Sequence, residues 1–355
     1  SLMLTTTFLL YGANGYSGEL IARYASQYNL HPILAGRRKE AIEPLAAKYG
    51  LPFRIFDVND TTALLTALKE VKVVMNAAGP FDQTARQIVE ACLQTGTHYL
   101  DINGDISIFE LIKRFDDAAK KAGILLLPGA GFDVVPTDCL AMHLKNKMPD
   151  AVSLKLAFAT LGGALSHGTA TTMANKLGEG GAARRNGKIV HEPLGQRGMW
   201  VDFGPKKLFV MSIPWGDIST AHFTTGIPDI ECYTGISRKV YYFLKLQGLF
   251  NWALRTDFIR KALKAKINRL PAGPTDTQRA KAIGYVWGEA TNAAGEKITA
   301  RLTGPEGYTI TVHASLIITR KVLNGDFKTG YGTPAGVWGE GLIYEIPGVI
   351  KPFNN

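Results

Sequence analysis

Short apolar runs alternate with segments of helical periodicity through the first third of the chain. Several of these runs are rich in Val, Ile and Leu, which is typical of strands buried on both faces of a parallel sheet. We predict strands at 7–11, 32–35, 53–56, 71–76, 98–101 and 124–128, separated by helices at 16–28, 40–49, 61–70, 83–95 and 106–122. This alternation predicts an α/β fold with a doubly wound parallel sheet.

After Gly131 the pattern changes to strand-like runs separated by glycine and proline. A helical segment at 134–147 is followed by runs that fit strands, at 152–159, 199–203, 208–213, 221–225 and 229–233. Residues 283–291 and 297–303 flank Asn292-Ala-Ala-Gly295 and predict a hairpin, while 308–323 fits a helix or a strand. These segments predict a second α+β domain built on a mostly antiparallel sheet.

A glycine-rich turn joins the first predicted strand to the first predicted helix. It reads Gly12-Ala-Asn-Gly15-Tyr-Ser-Gly18, a variant of the dinucleotide-binding fingerprint. Glycines let the backbone approach a pyrophosphate, and the helix N-terminus offers N–H groups and a positive dipole end. We therefore predict a Rossmann-type dinucleotide-binding domain. The cofactor contacts expected from this turn are Gly12, Asn14, Gly15, Tyr16, Ser17 and Gly18.

The end of the second predicted strand bears on which dinucleotide binds. An NAD site usually carries Asp or Glu about 20 residues beyond the glycine turn, where it binds the ribose 2′-hydroxyl. This strand instead ends Ala35-Gly-Arg37-Arg38-Lys39. Arg37 and Arg38 suit the 2′-phosphate of NADP(H), and the alternative is a solvated basic turn before a helix. We favour NADP(H), with Asp57 as a candidate for the adenine edge, although any surface Asp there has the same pattern.

The fourth predicted strand ends in small residues, Asn76-Ala77-Ala78-Gly79. Ligands of open α/β sheets lie across the carboxyl ends of the strands. Because small side chains let the nicotinamide ribose cross this edge, we include Asn76, Ala77, Ala78 and Gly79 among the cofactor contacts. A tight turn before the next helix accounts for the same residues, and the two interpretations are compatible.

Composition narrows the class of protein. The chain has 355 residues, 46% of them hydrophobic, and lacks an apolar run of the roughly 20 residues that a membrane-spanning helix needs. Its three cysteines form no CxxC pair or His/Cys cluster, which argues for a reducing compartment and against a bound metal. Met3 leads directly into a strand-like segment, so we expect no signal peptide and a cytoplasmic protein.

The net charge of +10 is concentrated in one segment. Residues 236–269 contain nine Lys/Arg and one acidic residue, a formal charge of +8, with apolar residues at roughly helical spacing and a break at Gly248. Three interpretations stay open: contact with an anionic membrane surface, contact with an acidic acyl carrier, or packing on the second domain or a dimer partner. We expect a homo-oligomer and no nucleic-acid partner, because no nucleic-acid-binding motif accompanies the charge.

Several motifs together resemble the saccharopine dehydrogenase-like oxidoreductases, especially the shorter trans-acting enoyl reductases. In the family's order they are the Gly12–Gly18 turn, Ala35-Gly-Arg37, Asn76–Pro80, Tyr99-Leu-Asp101 with Gly104-Asp105, Gly131-Phe-Asp133 with Pro136 and Asp138, Gly168-Thr169, Gly304–Tyr308 and Thr333-Pro-Ala335. The resemblance implies a Rossmann domain at 1–128, an α+β substrate and dimerisation domain at 129–329, and a return of 330–355 to the first domain, with a helix at 333–346. Asp105 departs from the Glu that is common in relatives.

Three residues are candidates for catalysis. Hydride transfer is carried out by the nicotinamide, so the protein must position the substrate and supply a proton. Asp101 closes the fifth predicted strand, Asp133 follows a Gly-Ala-Gly turn, and His167 lies in a turn of small residues. Asp also caps helices well, and for Asp133 capping is at least as well supported as catalysis. The sequence shows no Ser-His-Asp or metal-binding constellation.

These patterns favour an NADP(H)-dependent oxidoreductase that transfers a hydride to a C=C, C=N or C=O bond of a small molecule. The resemblance and the basic segment suggest an apolar, lipid-like substrate. One alternative is an amino-acid imine dehydrogenase of the saccharopine kind, which needs several cationic side chains at its site. Another is an NADP-binding regulator without catalytic activity.

Overall fold

The computed structural model describes residues 6–163, 178–247 and 251–350. The chain divides into two units, Ser1–Val135 with Tyr308–Trp338 and Pro136–Gly307 with Gly339–Asn355. The sequence places the boundaries after residues 128 and 329 instead. The C-terminal boundary differs most, because a helix starting at residue 307 packs on the first unit, where Thr311 Oγ1 accepts the N–H of Phe132 at 2.9 Å.

The last residues were predicted to return to the cofactor domain, and only part of them does. Gly330–Tyr331 pairs with the sixth strand of the first unit. Residues from Gly339 onward belong to the second unit, where Glu340 bonds His143 at 2.8 Å and Ile350 bridges to Thr303. The helix predicted at 333–346 is broken at Gly339, which has a φ of +82°.

The first half of the chain alternates strands with helices. Its elements are β1 (Leu9–Tyr11), α1 (Tyr16–Tyr24), β2 (Ile33–Gly36), α2 (Lys39–Tyr49), β3 (Phe53–Ile55), α3 (Thr61–Leu68), β4 (Val73–Asn76), α4 (Ala85–Thr95), β5 (His98–Asp101), α5 (Ile106–Lys113), α6 (Asp116–Ala122), β6 (Leu125–Leu127) and α7 (Val135–Lys147). Short 3-10 turns lie at Ala25–Tyr28 and Phe81–Gln83.

The second half is richer in long strands. Its elements are β7 (Ala151–Leu161), β8 (Gly181–Arg185), β9 (Lys188–Glu192), β10 (Gly198–Asp202), β11 (Lys207–Ser212), α8 (Asp217–Thr225), β12 (Asp229–Gly235), α9 (Arg238–Gln247), α10 (Asn251–Leu254), α11 (Asp257–Ile267), α12 (Asp276–Lys281), β13 (Ile283–Asn292), β14 (Lys297–Gly304), α13 (Gly307–Leu323), β15 (Gly330–Tyr331) and α14 (Pro334–Trp338). A 3-10 turn follows at Glu340–Glu345.

The first unit is built on a seven-stranded sheet in the order β15-β6-β5-β4-β1-β2-β3. All of its strand pairs are parallel. Tyr11 is in register with Ala35 and Asn76, and Asn76 with Asp101, so these strands end side by side. The predicted Rossmann-type doubly wound sheet is confirmed, and its carboxyl edge gathers the candidate residues.

The strands of this sheet are buried on both faces. Consecutive residues such as Leu9 and Leu10, Val73 and Val74, and the run 125–127 are fully buried. Side chains of successive strand residues point to opposite faces, so helices must cover both sides of the sheet. The continuous apolar runs in the sequence follow from this arrangement.

The second unit is built on a mixed sheet in the order β10-β11-β12-β7-β13-β14. Only the β12–β7 pair along this path is parallel, among the described residues. The hairpin of β8 and β9 attaches to β12 through the pairing of Ile230 with Arg184. The predicted α+β architecture on a mostly antiparallel sheet is confirmed, as is the hairpin of β13 and β14.

Two local predictions are wrong, and two strands were not predicted. Residues 221–225 were expected to form a strand, but they belong to helix α8, although their threonines are β-branched and favour strands. The hydroxyls of Thr224 and Thr225 donate to the carbonyls of Thr220 and Ala221, at 3.0 and 2.7 Å, which satisfies them inside the helix. The helix expected over 106–122 is two helices, and strands β8 and β9 were not predicted.

Among the described residues, no helix is both long enough and apolar enough to span a membrane.

Candidate functional site

Backbone contacts close the glycine turn between β1 and α1 onto the neighbouring strands. Gly12 N–H donates to the carbonyl oxygen of Ala35 at 2.9 Å, and Gly15 N–H donates to that of Gly12 at 3.1 Å. Gly12 has a φ of +83°, and a Cβ there would lie 2.6 Å from the backbone nitrogen of Ala78. A Cβ on Gly18 would lie 2.3 Å from the Gly12 carbonyl oxygen. Both positions therefore require glycine.

Helix α1 begins directly after this turn. Its N-cap is Gly15, which has no side chain to bond the N–H groups of the first turn. Asn14 and Gly15 are exposed, whereas Tyr16 and Ser17 are half-buried. The backbone N–H groups and the positive dipole end of α1 are suited to bind a phosphate group.

Two arginines follow the end of β2. The side chains of Arg37 and Arg38 are 69% and 63% exposed. Arg37 Nη1 lies 3.9 Å from Oδ2 of Asp57, whose Oδ1 accepts the N–H of Asn59 at 2.8 Å. An exposed pair at this distance is weak, so a phosphate group can compete for the guanidinium. The structure thus places Asp57 beside Arg37, a proximity that the sequence did not predict.

A buried hydrogen-bond network crosses the carboxyl ends of β4 and β5 and the segment after β6. Asn76 Nδ2 lies 3.2 Å from the Tyr99 hydroxyl, which donates to Oδ2 of Asp101 at 2.7 Å. Oδ1 of Asp101 accepts the N–H of Gly129 at 2.9 Å, and the N–H and side-chain amide of Asn103 at 3.0 and 2.7 Å. The network fixes these strand ends relative to one another.

Asp101 lies inside this network. It is fully buried, and both of its carboxyl oxygens accept hydrogen bonds. Burial raises the pKa of Asp101 above its ordinary value, while the hydrogen bonds from Tyr99, Gly129 and Asn103 act in the opposite direction. Its neighbour across the sheet, Asn76, uses its Oδ1 to accept the N–H of Ala78 at 3.1 Å. The network thereby extends to the small residues that face Gly12.

Asp133 lies next to the network but outside it. Its Oδ1 is buried and has no hydrogen-bond partner in the part of the sequence that the structure describes. Its Oδ2 lies 2.5 Å from where a Cβ on Gly104 would be, so only glycine leaves room for this carboxyl. Burial raises the pKa of Asp133 from 3.8 to about 7. The buried Oδ1 does not cap α7, which begins at Val135.

Helix α13 contributes residues near the glycine turn, although the sequence assigned them to the other domain. The ring of Tyr308 makes an edge contact with that of Tyr16, at 5.0 Å between centroids. Further along, the Tyr28 hydroxyl bonds Nδ1 of His313 at 2.6 Å. The start of α13 therefore lies against the glycine turn. The motif Gly304–Tyr308, which the family resemblance includes, is the signal in the sequence that marks this place.

His167, the third catalytic candidate, lies outside the described residues. Across the ranges that are described, no group of three His, Cys, Asp or Glu side chains is arranged to hold a metal ion.

Known proteins with similar sequences share the N-terminal part of this chain. Residues 8–127 match the family described as the saccharopine dehydrogenase NADP binding domain. The saccharopine dehydrogenase-like oxidoreductase of Bos taurus is 25% identical over 173 residues, which cover 43% of this chain and 40% of that protein. The trans-acting enoyl reductase of Mycobacterium leprae (strain TN) is 30% identical over 148 residues, 39% of this chain and 35% of that protein. The similarity thus spans less than half the length of either relative.

A solved structure shares the fold of the whole chain. The apo saccharopine dehydrogenase (L-Glu forming) of Saccharomyces cerevisiae matches with a TM-score of 0.67, covering 98% of this chain and 99% of that one. The sequence identity is 14%, so this likeness shows the architecture and not the activity.

The glycine turn, the parallel sheet and the family match define the first unit as a Rossmann-type domain that binds NADP(H). Its residues 8–127 match the saccharopine dehydrogenase NADP binding domain family, and the predicted resemblance to saccharopine dehydrogenase-like oxidoreductases is confirmed. The prediction of NADP(H) as the cofactor is confirmed with it.

Proposed function

We propose that this protein is an oxidoreductase that uses NADPH to reduce a C=C, C=N or C=O bond of an apolar, lipid-like small molecule. The NADP(H)-binding domain and the oxidoreductase and enoyl reductase names of its relatives support the reaction class. The observation that carries the proposal is the buried carboxyl of Asp133, because such a reduction needs a proton donor as well as a hydride donor.

Cofactor binding belongs to four parts of the first unit. The glycine turn and the N-terminus of α1 bind the pyrophosphate, and Arg37 and Arg38 bind the 2′-phosphate. The small residues Asn76–Gly79 support the nicotinamide ribose at the carboxyl edge of the sheet. Bound NADPH supplies the hydride.

Asp133 supplies the proton. When the hydride adds to one atom of the double bond, the electron pair of that bond moves to the other atom, which must be protonated. A carboxyl with a pKa of about 7 is substantially protonated at neutral pH and is still acidic enough to donate. Asp133 as a whole is half-buried while its Oδ1 is buried, and a proton from solvent must restore the acid after each turnover.

Asp101 acts as a positioning residue. Its carboxyl holds the N–H of Gly129 at 2.9 Å, at the start of the turn that carries Asp133. It also accepts the hydroxyl of Tyr99 on its own strand. Loss of its charge would let this turn shift, which would move the proton donor away from the substrate.

The side chains at this edge favour an apolar substrate over a dicarboxylate. No cation and two acids are found among the five polar residues described here, which are Asn76, Tyr99, Asp101, Asn103 and Asp133. An amino-acid imine dehydrogenase of the saccharopine kind needs cationic groups to bind its carboxylates. None of these five side chains supplies such a charge, so the dicarboxylate would have no ion-pair partner among them.

The experiment is NADPH oxidation measured with a panel of unsaturated thioesters, enones, aldehydes and imines of increasing acyl length. We expect saturable oxidation with an enoyl or carbonyl substrate that carries a long alkyl group. Asp133→Asn should lower kcat about 100-fold with an unchanged Kd for NADPH. The matched control is Asp150→Asn, which changes an exposed carboxyl of the second unit and should leave kcat unaltered.

Three results would count against this function. Absence of oxidation with every substrate, together with tight NADPH binding, would favour a non-catalytic regulator. Activity restricted to amino-acid imines would favour the saccharopine-type reaction. Full activity of the Asp133→Asn variant would remove Asp133 from catalysis while leaving the reaction class in place.

A further inference from the structure

Helix α9 has an unusual orientation for an amphipathic helix, because much of its apolar surface is exposed. Tyr241 is 5% exposed and packs on Phe209 of β11, with 5.0 Å between ring centroids. Three other apolar residues of the helix are largely exposed: Tyr242 at 53%, Phe243 at 61% and Leu246 at 63%. Leu246 lies four and three positions after the other two, so the three residues form one stripe on the helix. Tyr241 packs the helix against the sheet, while this stripe stays exposed.

The stripe continues onto the edge strand of the sheet. Trp200 of β10 is 59% exposed, and its ring makes an edge contact with Phe209 at 5.5 Å between centroids. The guanidinium of Arg238 lies 5.9 Å from the ring centre of Trp200 and 5.9 Å from that of Tyr242. The cation thus connects the two rings. We call Trp200, Tyr242, Phe243 and Leu246, with Arg238, Lys239 and Lys245, the basic–aromatic surface.

The segment that follows repeats the same composition. Helix α11 has no buried residue along its length. Trp252 and Phe258 are 71% and 79% exposed, and α11 carries Arg260, Lys261, Lys264 and Lys266. Together with α9, this region holds most of the +8 charge of residues 236–269.

Charge decides between the possible occupants of this surface. A second copy of the protein would bring the same positive segment against itself, which is unfavourable. An acidic carrier protein would neutralise the cations, but a contact of that kind does not need so many uncovered rings. An anionic bilayer satisfies both features, since Trp, Tyr and Phe enter the headgroup region while Lys and Arg reach the phosphates.

We infer that the basic–aromatic surface binds the surface of a bilayer that contains anionic phospholipid, with α9 lying in the headgroup plane. The stripe of Tyr242, Phe243 and Leu246 enters the acyl boundary, and Lys239 and Lys245 on the same helix contact lipid phosphates. This inference concerns a surface of the second unit and does not depend on the reductase activity.

The test is cosedimentation of the whole protein with two kinds of vesicle, phosphatidylcholine alone and phosphatidylcholine mixed with phosphatidylserine. We expect binding to the mixed vesicles at low salt, weak binding to the neutral ones, and release at high salt. Phe243→Ala with Leu246→Ala should weaken the partition at least tenfold, since each removes apolar area that enters the membrane. Lys239→Gln with Lys245→Gln should weaken it in mixed vesicles only.

Two double variants outside this surface are matched controls. Lys147→Gln with Lys188→Gln removes two exposed lysines of the second unit. Val152→Ala with Val190→Ala shortens two exposed apolar side chains of the same unit. Both controls should bind vesicles like the unchanged protein. Every variant should keep its far-UV circular dichroism and its Kd for NADPH, so loss of folding is recognised separately. Fluorescence of Trp200 gives a second readout, because bromolipid quenching should fall in Trp200→Phe.

Several outcomes would overturn the inference. They are no binding to the mixed vesicles at low salt, equal losses in the controls and in the surface variants, or no quenching that depends on Trp200. Binding of an acidic acyl carrier protein through the same residues, without binding to vesicles, would assign the surface to a protein partner instead.

Discussion

At the scale of single residues, Asp133 is an acid in a place where its charge is poorly stabilised. Its Oδ1 is buried without a hydrogen-bond partner in the described ranges, and Gly104 leaves it room without offering a side chain. Asp101, which holds Gly129 in the turn before Asp133, accepts hydrogen bonds at both oxygens. The surroundings of the two aspartates therefore differ, which is why we propose different roles for them.

The raised pKa of Asp133 predicts a pH-dependent effect on stability. Between its ordinary value of 3.8 and about 7, the unfolded protein loses the proton that the folded protein retains, so stability falls as the pH rises through this range. Asp133→Asn should therefore raise Tm by a few degrees at about pH 8 and have little effect below about pH 4. Thermal unfolding at both pH values measures this, and an equal effect at the two would contradict the assigned pKa.

A second prediction for a single residue concerns Arg37 and the preference for NADPH over NADH. Arg37→Ala removes a charge-assisted bond to the 2′-phosphate and should raise the Kd for NADPH about tenfold or more, with no change for NADH. Nucleotide fluorescence titration measures both values. Arg54→Ala is the matched control, because Arg54 is exposed in the same unit and pairs with Glu70 at 3.0 Å. Parallel losses for NADPH and NADH would place Arg37 away from the phosphate.

At the scale of elements, the turn from β1 to α1 is a part of the first unit with little tolerance for side chains. Its two outer glycines face backbone atoms of the segment after β4 and of the turn itself, at 2.6 and 2.3 Å from the position of a Cβ. Backbone atoms are held by their neighbours and cannot move aside as the end of a flexible side chain does. The close approach of strand, turn and helix fixes the N–H groups that we propose bind the cofactor.

Gly12→Ala should therefore abolish NADPH binding and lower stability by more than the backbone strain alone. The matched variant is Gly50→Ala, at the end of α2, where φ is +63° and nothing lies within 4 Å of the new Cβ. That control should lose only about 1 kcal/mol of unfolding free energy and keep its affinity. Urea unfolding and NADPH titration of both variants distinguish the two effects. Equal behaviour would mean that the turn adapts to a methyl group.

At the scale of the whole molecule, the similarity to an NADP-binding domain lies in one of the two units. The family match covers residues 8–127, all within the first unit, while the basic–aromatic surface belongs to the second. Each unit has its own sheet, and the proposed NADP(H) site and the basic–aromatic surface consist of different residues. This separation lets each property be tested by variants that leave the other intact.

Binding of NADPH should stabilise the folded protein, and this is the prediction for the whole molecule. NADPH at 100 times its Kd should stabilise the folded state by about 2.7 kcal/mol, because it binds only that state. Differential scanning calorimetry should show this as a rise in the transition of the first unit. NADH at the same concentration should have a smaller effect, and Gly12→Ala should show none. Equal shifts with the two nucleotides would contradict selection for the 2′-phosphate.

The sequence by itself determined the alternation of strands and helices, the glycine turn and the class of cofactor. These features are local. Consecutive apolar residues mark a strand that is covered on both faces, and the residues from Gly12 to Gly18 act within a single turn. The proposal for Arg37 could be made from the sequence for the same reason, since it depends on the place of Arg37 just beyond β2. The local patterns indicated two kinds of sheet, and the family motifs added the division into two domains.

Only the tertiary structure decided the features that depend on residues far apart in the sequence. The threonines of 220–225 prefer a strand on their own, yet packing and bonds to carbonyls one turn earlier make them a helix. Helix α13 joins the first unit through Tyr28 and Phe132, which no period in the sequence reveals. The different surroundings of Asp101 and Asp133 likewise follow from burial and from contacts such as that of Asp101 with Gly129, because solvation and hydrogen bonding are set by the fold.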